Sequence, residues 1–193
     1  ILLERIQEKP ITLDTNTVGS SVAENTIRNS IIAVFVASLF VMLYIIYAFR
    51  NIERSFLYAI AAILTLIHDV LLVMGIFIIL SLIIGSQVNS IFIVGILTVI
   101  GYSVNDTIVI FDRIRENQII NRSREFIDTV NKSVKESITR SLGTSITTST
   151  VILSMLLFGG QSLRDFLIVL LLGVIIGTYS SIFVASNLLI LWR

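Results

Sequence analysis

The amino-acid sequence predicts an all-α fold: a polytopic transmembrane helix bundle with five spans and an additional amphipathic helix on the cytoplasmic side. Apolar residues fill 55% of the 193 positions and charged residues only 14%, whereas ordinary soluble domains hold about 45–50% and about 25%. The mean hydropathy is +0.94. The apolar residues also gather into five runs, each meeting or approaching the roughly 20 residues a helix needs to cross the hydrocarbon core. Other classes are disfavoured by the same features. A net charge of +1, with no basic patch interleaved with aromatics, leaves no electrostatic footprint for nucleic acid. The chain has no cysteine, so redox compartment is not legible. It begins at Ile1 without a signal-peptide pattern and is expected to be a piece of a longer protein.

Residues 1–28 come first. ITLDTNTVGSSVAENTIRN alternates in part and carries a turn signal at Gly19-Ser20. It reads as the end of an exterior domain entering the membrane, and it is too short to fold alone. Residues 29–193 form the transmembrane domain. Its spans run over about Ser30–Phe49, Phe56–Ile84, Val88–Phe111, Ser141–Phe158 and Phe166–Trp192. The second is long enough to tilt or to project from the bilayer. Between the third and fourth lies a loop, residues 112–140. Within it Phe126, Ile127, Val130, Val134 and Ile138 fall at helical spacing, with Ser123 as N-cap and Glu125 in the first turn. The spacing predicts an amphipathic helix lying either against the inner membrane face or against the bundle.

Orientation follows from the basic residues. Arg50 and Arg54 follow the first span; Arg113, Arg115, Arg122, Arg124, Lys132, Lys135 and Arg140 follow the third; Arg193 ends the chain. The loop GSQVNS has no charge, and the loop after the fourth span has Arg164 as its only basic residue. The basic loops and the C-terminus are therefore expected in the cytoplasm and residues 1–28 outside. Tyr44, Tyr47 and Trp192 fall at inner span ends, where aromatic belts sit. In the fifth span Gly173, Gly177, Ser181 and Ala185 recur at every fourth position. Such a stripe lets helices approach closely in lipid, either as fixed packing or as a seam for sliding.

The candidate site residues are the ionisable groups inside the spans. His68 and Asp69 lie near the middle of the second span, Asp106 (beside Asn105) in the inner half of the third, and Arg140 at the inner end of the fourth. A charge in a span is a functional-site hypothesis by default; the alternative is a hydrogen-bonded packing device. His68 and Asp69 point about 100° apart on a helix and are not expected to pair. Asp106 and Arg140 lie at similar depth on antiparallel spans, judged from Asp112 and Glu136 near the span ends, and are expected to form a pair. The face of Arg140 continues through Thr144, Thr147, Thr148 and Val151. That stripe either lines a hydrated path or, as isolated Ser and Thr in helices do, bonds back to carbonyls. Arginine does not give up its proton in proteins, whereas aspartate does. Asp106 with Arg140 therefore reads as a proton relay, with Asn105, Asp69, His68, Thr144, Thr147 and Thr148 in support. No catalytic residue, metal ligand or cofactor other than the proton is expected.

GYSVNDTIVIFDRIREN, the HD of the second span, TRSLGTSITTST and the closing FGGQSLRDFLIVLLLGVIIGTYSSIFVAS together resemble the SecF family, the membrane subunits of the SecDF protein-export complex and relatives of the resistance-nodulation-division permeases. Val104-Asn105-Asp106-Thr107 stands where the paired SecD subunits carry a VDAN-like stretch. Ser20 occupies the place of a proline frequent in the family's VGPSV turn. The resemblance implies six spans with an exterior domain after the first, so that this chain holds spans two to six. It implies a prokaryotic plasma membrane location, SecD, the SecYEG channel and preproteins as partners alongside the bilayer, and the proton motive force as the driver of late export. It maps the family's proton-path aspartate and arginine onto Asp106 and Arg140. Two other functions stay open: a proton-coupled permease for small molecules or lipids, which needs a large exterior binding domain, and a non-transporting translocon scaffold, which would be indifferent to loss of Asp106.

Overall fold

The structure is a computed structural model that describes residues 20–50, 52, 54–84 and 90–192. Helix α1 spans Ser20–Ala48, α2 Ser55–Ile84, α3 Ser90–Ile120 and α4 Phe126–Phe158. A 3₁₀ turn at Gln161–Leu163 leads into α5, Arg164–Ser180, which continues without a break through a π turn at Ser181–Ala185 into α6, Ser186–Leu191. Among the described residues five rods are long and apolar enough to cross a membrane, so the chain is a multi-pass membrane protein. The expectations for residues 1–19 and for 85–89 lie outside the described residues.

The second span matches its expected limits within a residue, and the others extend further. Helix α1 starts at Ser20 rather than Ser30, and α3 runs on to Ile120 rather than ending at Phe111. The expected amphipathic helix and fourth span are one continuous rod, α4. Charge near Arg140 does not interrupt a helix, and no proline intervenes. The loop expected over 112–140 thus shrinks to residues 121–125. Glu125, not Ser123, stands at the N-cap and makes no side-chain cap bond; Ser123 Oγ donates instead to Asn121 Oδ1 at 2.8 Å. The front of α4 packs on the bundle, with Val130 buried among Ile45, Phe49 and Ile110 and with Phe126, Val134 and Ile138 partly covered. Further along, Ser133, Ser137, Ser141 and Ser145 form its buried stripe.

The most extensive contact joins α3 and α5. A methyl group at Gly173 would sit 2.1 Å from Val99 Cγ2, one at Gly95 2.9 Å from Val169 Cγ1, and one at Gly177 3.2 Å from the Ser103 Cα. Positions 95, 99 and 103 thus step along 169, 173 and 177 in the same direction, and the two helices are parallel. The expected stripe of small residues is this seam. A four-residue step overshoots a full α-helical turn by about 40°. The wider π turn offsets that drift, so Ser181 and Ala185, both buried, stay on the seam.

At the arginine-rich end side chains tie the rods together. Arg113 Nε donates to Glu136 Oε2 at 2.7 Å. Asn117 Nδ2 donates to the same carboxylate at 2.8 Å and to Ser133 Oγ at 2.9 Å. Arg115 Nη1 reaches the Ala48 carbonyl at the end of α1 at 3.1 Å, where cations favour a helix C-terminus. Phe49, Tyr58 and Phe111 pack as an aromatic trio beneath, with centroids 5.3 to 6.4 Å apart.

Candidate functional site: two buried carboxylates

Among the described residues two aspartates are buried, both within the spans: Asp69 at 0% exposure and Asp106 at 6%. Asp69, on α2, meets three donors. Its Oδ2 accepts from Ser103 Oγ of α3 and from Ser180 Oγ of α5, the latter at 2.7 Å. Its Oδ1 lies 3.0 Å from His68 Nδ1, which carries the proton when the carboxylate is ionised. The expectation that His68 and Asp69 do not pair is therefore corrected. Their Cα–Cβ bonds diverge by about 100°, but the ring nitrogen and carboxylate oxygen each lie two bonds beyond Cβ, and side-chain rotation closes the gap.

Asp106 is less well served. Its Oδ2 accepts from Ser181 Oγ, the first residue of the π turn, at 3.1 Å. The buried hydroxyl of Ser141 on α4 faces the same carboxylate without forming a hydrogen bond of normal geometry. One turn along, Tyr102 Oη lies 3.2 Å from Ser145 Oγ, which in turn contacts Thr178 Oγ1. A column of hydroxyls from α3, α4 and α5 thus runs beside the two acids. π turns occur frequently at functional sites, and here one supplies a ligand to a buried acid.

Asp106 and Arg140 are not brought together. Arg140 is exposed and forms no ion pair among the described residues. The α4 side chain that faces Asp106 is its neighbour Ser141. Depth, read by counting residues, was correct. The direction around the helix was not, because adjacent residues differ by about 100°. Asn105 is exposed, as are Thr144 and Thr147, while Thr148 is half-buried. Thr144 Oγ1 bonds back to the Arg140 carbonyl at 3.0 Å, and Thr147 Oγ1 to those of Gly143 and Thr144 at 3.0 and 2.9 Å. Gly173 and Gly177 are buried in the seam. Ser103, Ser141, Ser145, Thr178 and Ser180 were missed as site residues. The four-residue spacing of Ser133, Ser137, Ser141 and Ser145 was the signal that could have found the α4 pair.

Fold and site together define a polytopic α-helical membrane protein with ionisable groups enclosed by its spans. The family described as "Protein export membrane protein SecD/SecF, C-terminal" matches residues 2–193, and the chain belongs to it. The protein translocase subunit SecF of Thermobaculum terrenum is 45% identical over 177 residues, which cover 92% of this chain and 56% of that protein. SecF of Anaerolinea thermophila is 40% identical over 190 residues, 98% of this chain and 62% of its own length. The crystal structure of SecDF from Thermus thermophilus, described as a translocon-associated membrane protein, superposes with a TM-score of 0.78 at 39% identity, covering 91% of this chain and 23% of that one. The chain thus spans between half and two thirds of the length of these SecF relatives.

Proposed function

We propose that this chain is the membrane-embedded part of an accessory subunit of the Sec translocon, which uses the proton motive force to assist late export and release of preproteins on the outer face. Asp106 carries the reading. It is enclosed by α3, α4 and α5, it holds one hydrogen bond of normal geometry among the described residues, and aspartate both takes and releases protons where arginine does not. An ionised carboxylate has about four acceptor positions, and Asp106 fills fewer of them than Asp69. Its charge state is therefore the one least locked by the fold. Protonation would weaken the hold of the carboxyl group on Ser181, which has the Thr178 carbonyl as a second acceptor, and so ease movement of α5 against α3. A proton crossing a potential of 100 mV releases about 2.3 kcal/mol, so each proton would supply free energy toward a domain movement. Arg140 lies one residue from the position facing Asp106, and rotation of α4 by about 100° would present it to the acid. SecD, in the same complex or the same chain, SecYEG and preproteins are the partners this reading requires.

The reading is tested with the full-length protein assembled with its partner half, in inverted vesicles carrying an imposed proton gradient. Asp106→Asn keeps size and hydrogen bonding but cannot titrate. Gradient-driven stimulation of export should vanish while ATP-driven translocation continues. A wild-type response would refute the role of Asp106 and favour the scaffold. Orientation is tested separately in whole cells. A single cysteine at Gln161 should react with an impermeant thiol reagent from outside, and one at Asn121 should not; the reverse pattern would invert the proposed topology, which places the arginine-rich end in the cytoplasm of the prokaryotic cell.

A further inference from the structure

Two consecutive serines at the start of the π turn hold two carboxylates from two helices. Ser180 Oγ lies 2.7 Å from Asp69 Oδ2 on α2, and Ser181 Oγ lies 3.1 Å from Asp106 Oδ2 on α3. A hydroxyl has one proton to donate, and each of these serines has a second acceptor in its own helix. For Ser180 it is the Gly177 carbonyl at 3.2 Å, half an ångström farther than the carboxylate. For Ser181 it is the Thr178 carbonyl at 3.0 Å, a distance that nearly equals the one to Asp106. Ser180 is thus committed to its acid, and Ser181 is poised between its acid and its own backbone. Asp69 is in turn anchored by His68 and by Ser103 on α3.

We propose that Asp69 is a positioning residue: by clamping Ser180 it sets the register of the π turn at which Ser181 stands between Asp106 and the Thr178 carbonyl. The two serines share one stretch of backbone, so a shift that lengthens one carboxylate contact changes the other. The inference rests on the reading of Asp106 as the proton carrier, and it assigns Asp69 no proton of its own.

The test uses the full-length protein with its partner half in proteoliposomes under an imposed pH gradient. Proton flux and the infrared carboxyl band of Asp106, assigned by its loss in Asp106→Asn, are both measured. Asp69→Ala leaves two buried hydroxyls without their acceptor and should lower flux about tenfold or more. Asp69→Asn offers an amide oxygen to both serines and an N–H to His68 Nδ1, and should recover flux to within about threefold of the unmodified protein. Ser180→Ala, which removes a single hydroxyl, should lower flux by roughly three- to tenfold. It should also shift the Asp106 band, which Asp69→Asn leaves in place. A purely structural role would reduce yield and leave the band where it was. Wild-type flux and an unshifted band in Ser180→Ala would overturn the proposal. So would an Asp69→Asn variant as inactive as Asp106→Asn, because Asp69 would then carry a proton. If Asp106→Asn itself keeps its flux, the proton reading falls, and the band shift still decides whether Asp69 positions the turn.

Discussion

Helix α5 with its π turn and the C-terminal half of α4 are built from the same residues: glycine, serine and threonine at short helical spacings. Their surroundings differ. The rod Gln161–Leu191 is largely buried, whereas α4 is mostly exposed. Gly173, Gly177, Thr178, Ser180 and Ser181 are all enclosed, and three of the hydroxyls reach across to other helices. On α4, Thr144, Thr147, Thr150 and Ser154 are exposed, and every one of these hydroxyls folds back on a carbonyl of its own helix. A methyl group at Gly173 would collide with Val99, whereas one at Gly143 would meet nothing within 4 Å. Residue type is the same in the two stripes. A neighbouring helix decides whether a small polar residue becomes part of a site or merely satisfies its own backbone.

The sharpest way to break this contrast is Gly173→Leu. Its first side-chain atom already stands 2.1 Å from Val99, so α3 and α5 must separate. Overpacking of this size is expected to destabilise the chain by about 3 kcal/mol or more. Thermal unfolding in detergent, followed by the fluorescence of Trp192, should show a large drop or no folded protein. Normal melting would mean that the seam is looser than the structure has it.

Arg140→Lys should leave melting unchanged, because the side chain is exposed and forms no ion pair among the described residues. On the proposed relay its effect is expected on function. Lysine keeps the charge but loses the planar fork, and at a site that must pair with a carboxylate the two are not interchangeable. Gradient-driven flux in the assembled protein should fall roughly tenfold, equivalent to about 1.4 kcal/mol. Wild-type flux would remove Arg140 from the relay.

Much of the fold was legible because hydropathy and length speak directly to crossing a membrane. The five spans and the seam of Gly173 and Gly177 could be read from runs and spacing. The unbroken α4 was hidden because a charged amphipathic stretch passes into an apolar run at Thr139, Arg140 and Ser141, and a change in polarity looks like a change in structure. The π turn left no mark, since SIFVA reads as ordinary helix. Asp106 and Asp69 stood out as charges in hydrocarbon, but their partners are serines, which occur too commonly in spans to single out. The expected Asp106–Arg140 pair missed by one residue on α4. Depth can be counted along a chain, whereas the face a residue presents depends on how the helices pack.

Gly177→Ala probes the seam more gently. Its methyl group would lie 3.2 Å from the Cα and Cβ of Ser103, a backbone contact that yields little. A loss of about 1 kcal/mol from crowding is partly offset by alanine's better fit to a helix, worth roughly 0.5–1 kcal/mol. The melting temperature should fall slightly. A rise would show that α3 gives way at Ser103, and the contact that also carries the Asp69 clamp would then be compliant.

The smallest effect is expected at Gly143→Ala, on the open side of the comparison. Nothing lies within 4 Å of the added methyl group, so crowding contributes nothing. Removing a glycine from a helix interior lowers the entropy of the unfolded chain and should stabilise α4 by about 0.5–1 kcal/mol. The chain in detergent should melt at the same temperature or slightly higher, opposite in sign to Gly177→Ala. The pair of variants therefore reads the environment of two glycines through one chemical change. A loss at Gly143 as large as that at Gly177 would mean that the face bearing Arg140 and Thr147 is closed by a close neighbour even in this chain alone, and the distinction between an enclosed and an open polar stripe would fall.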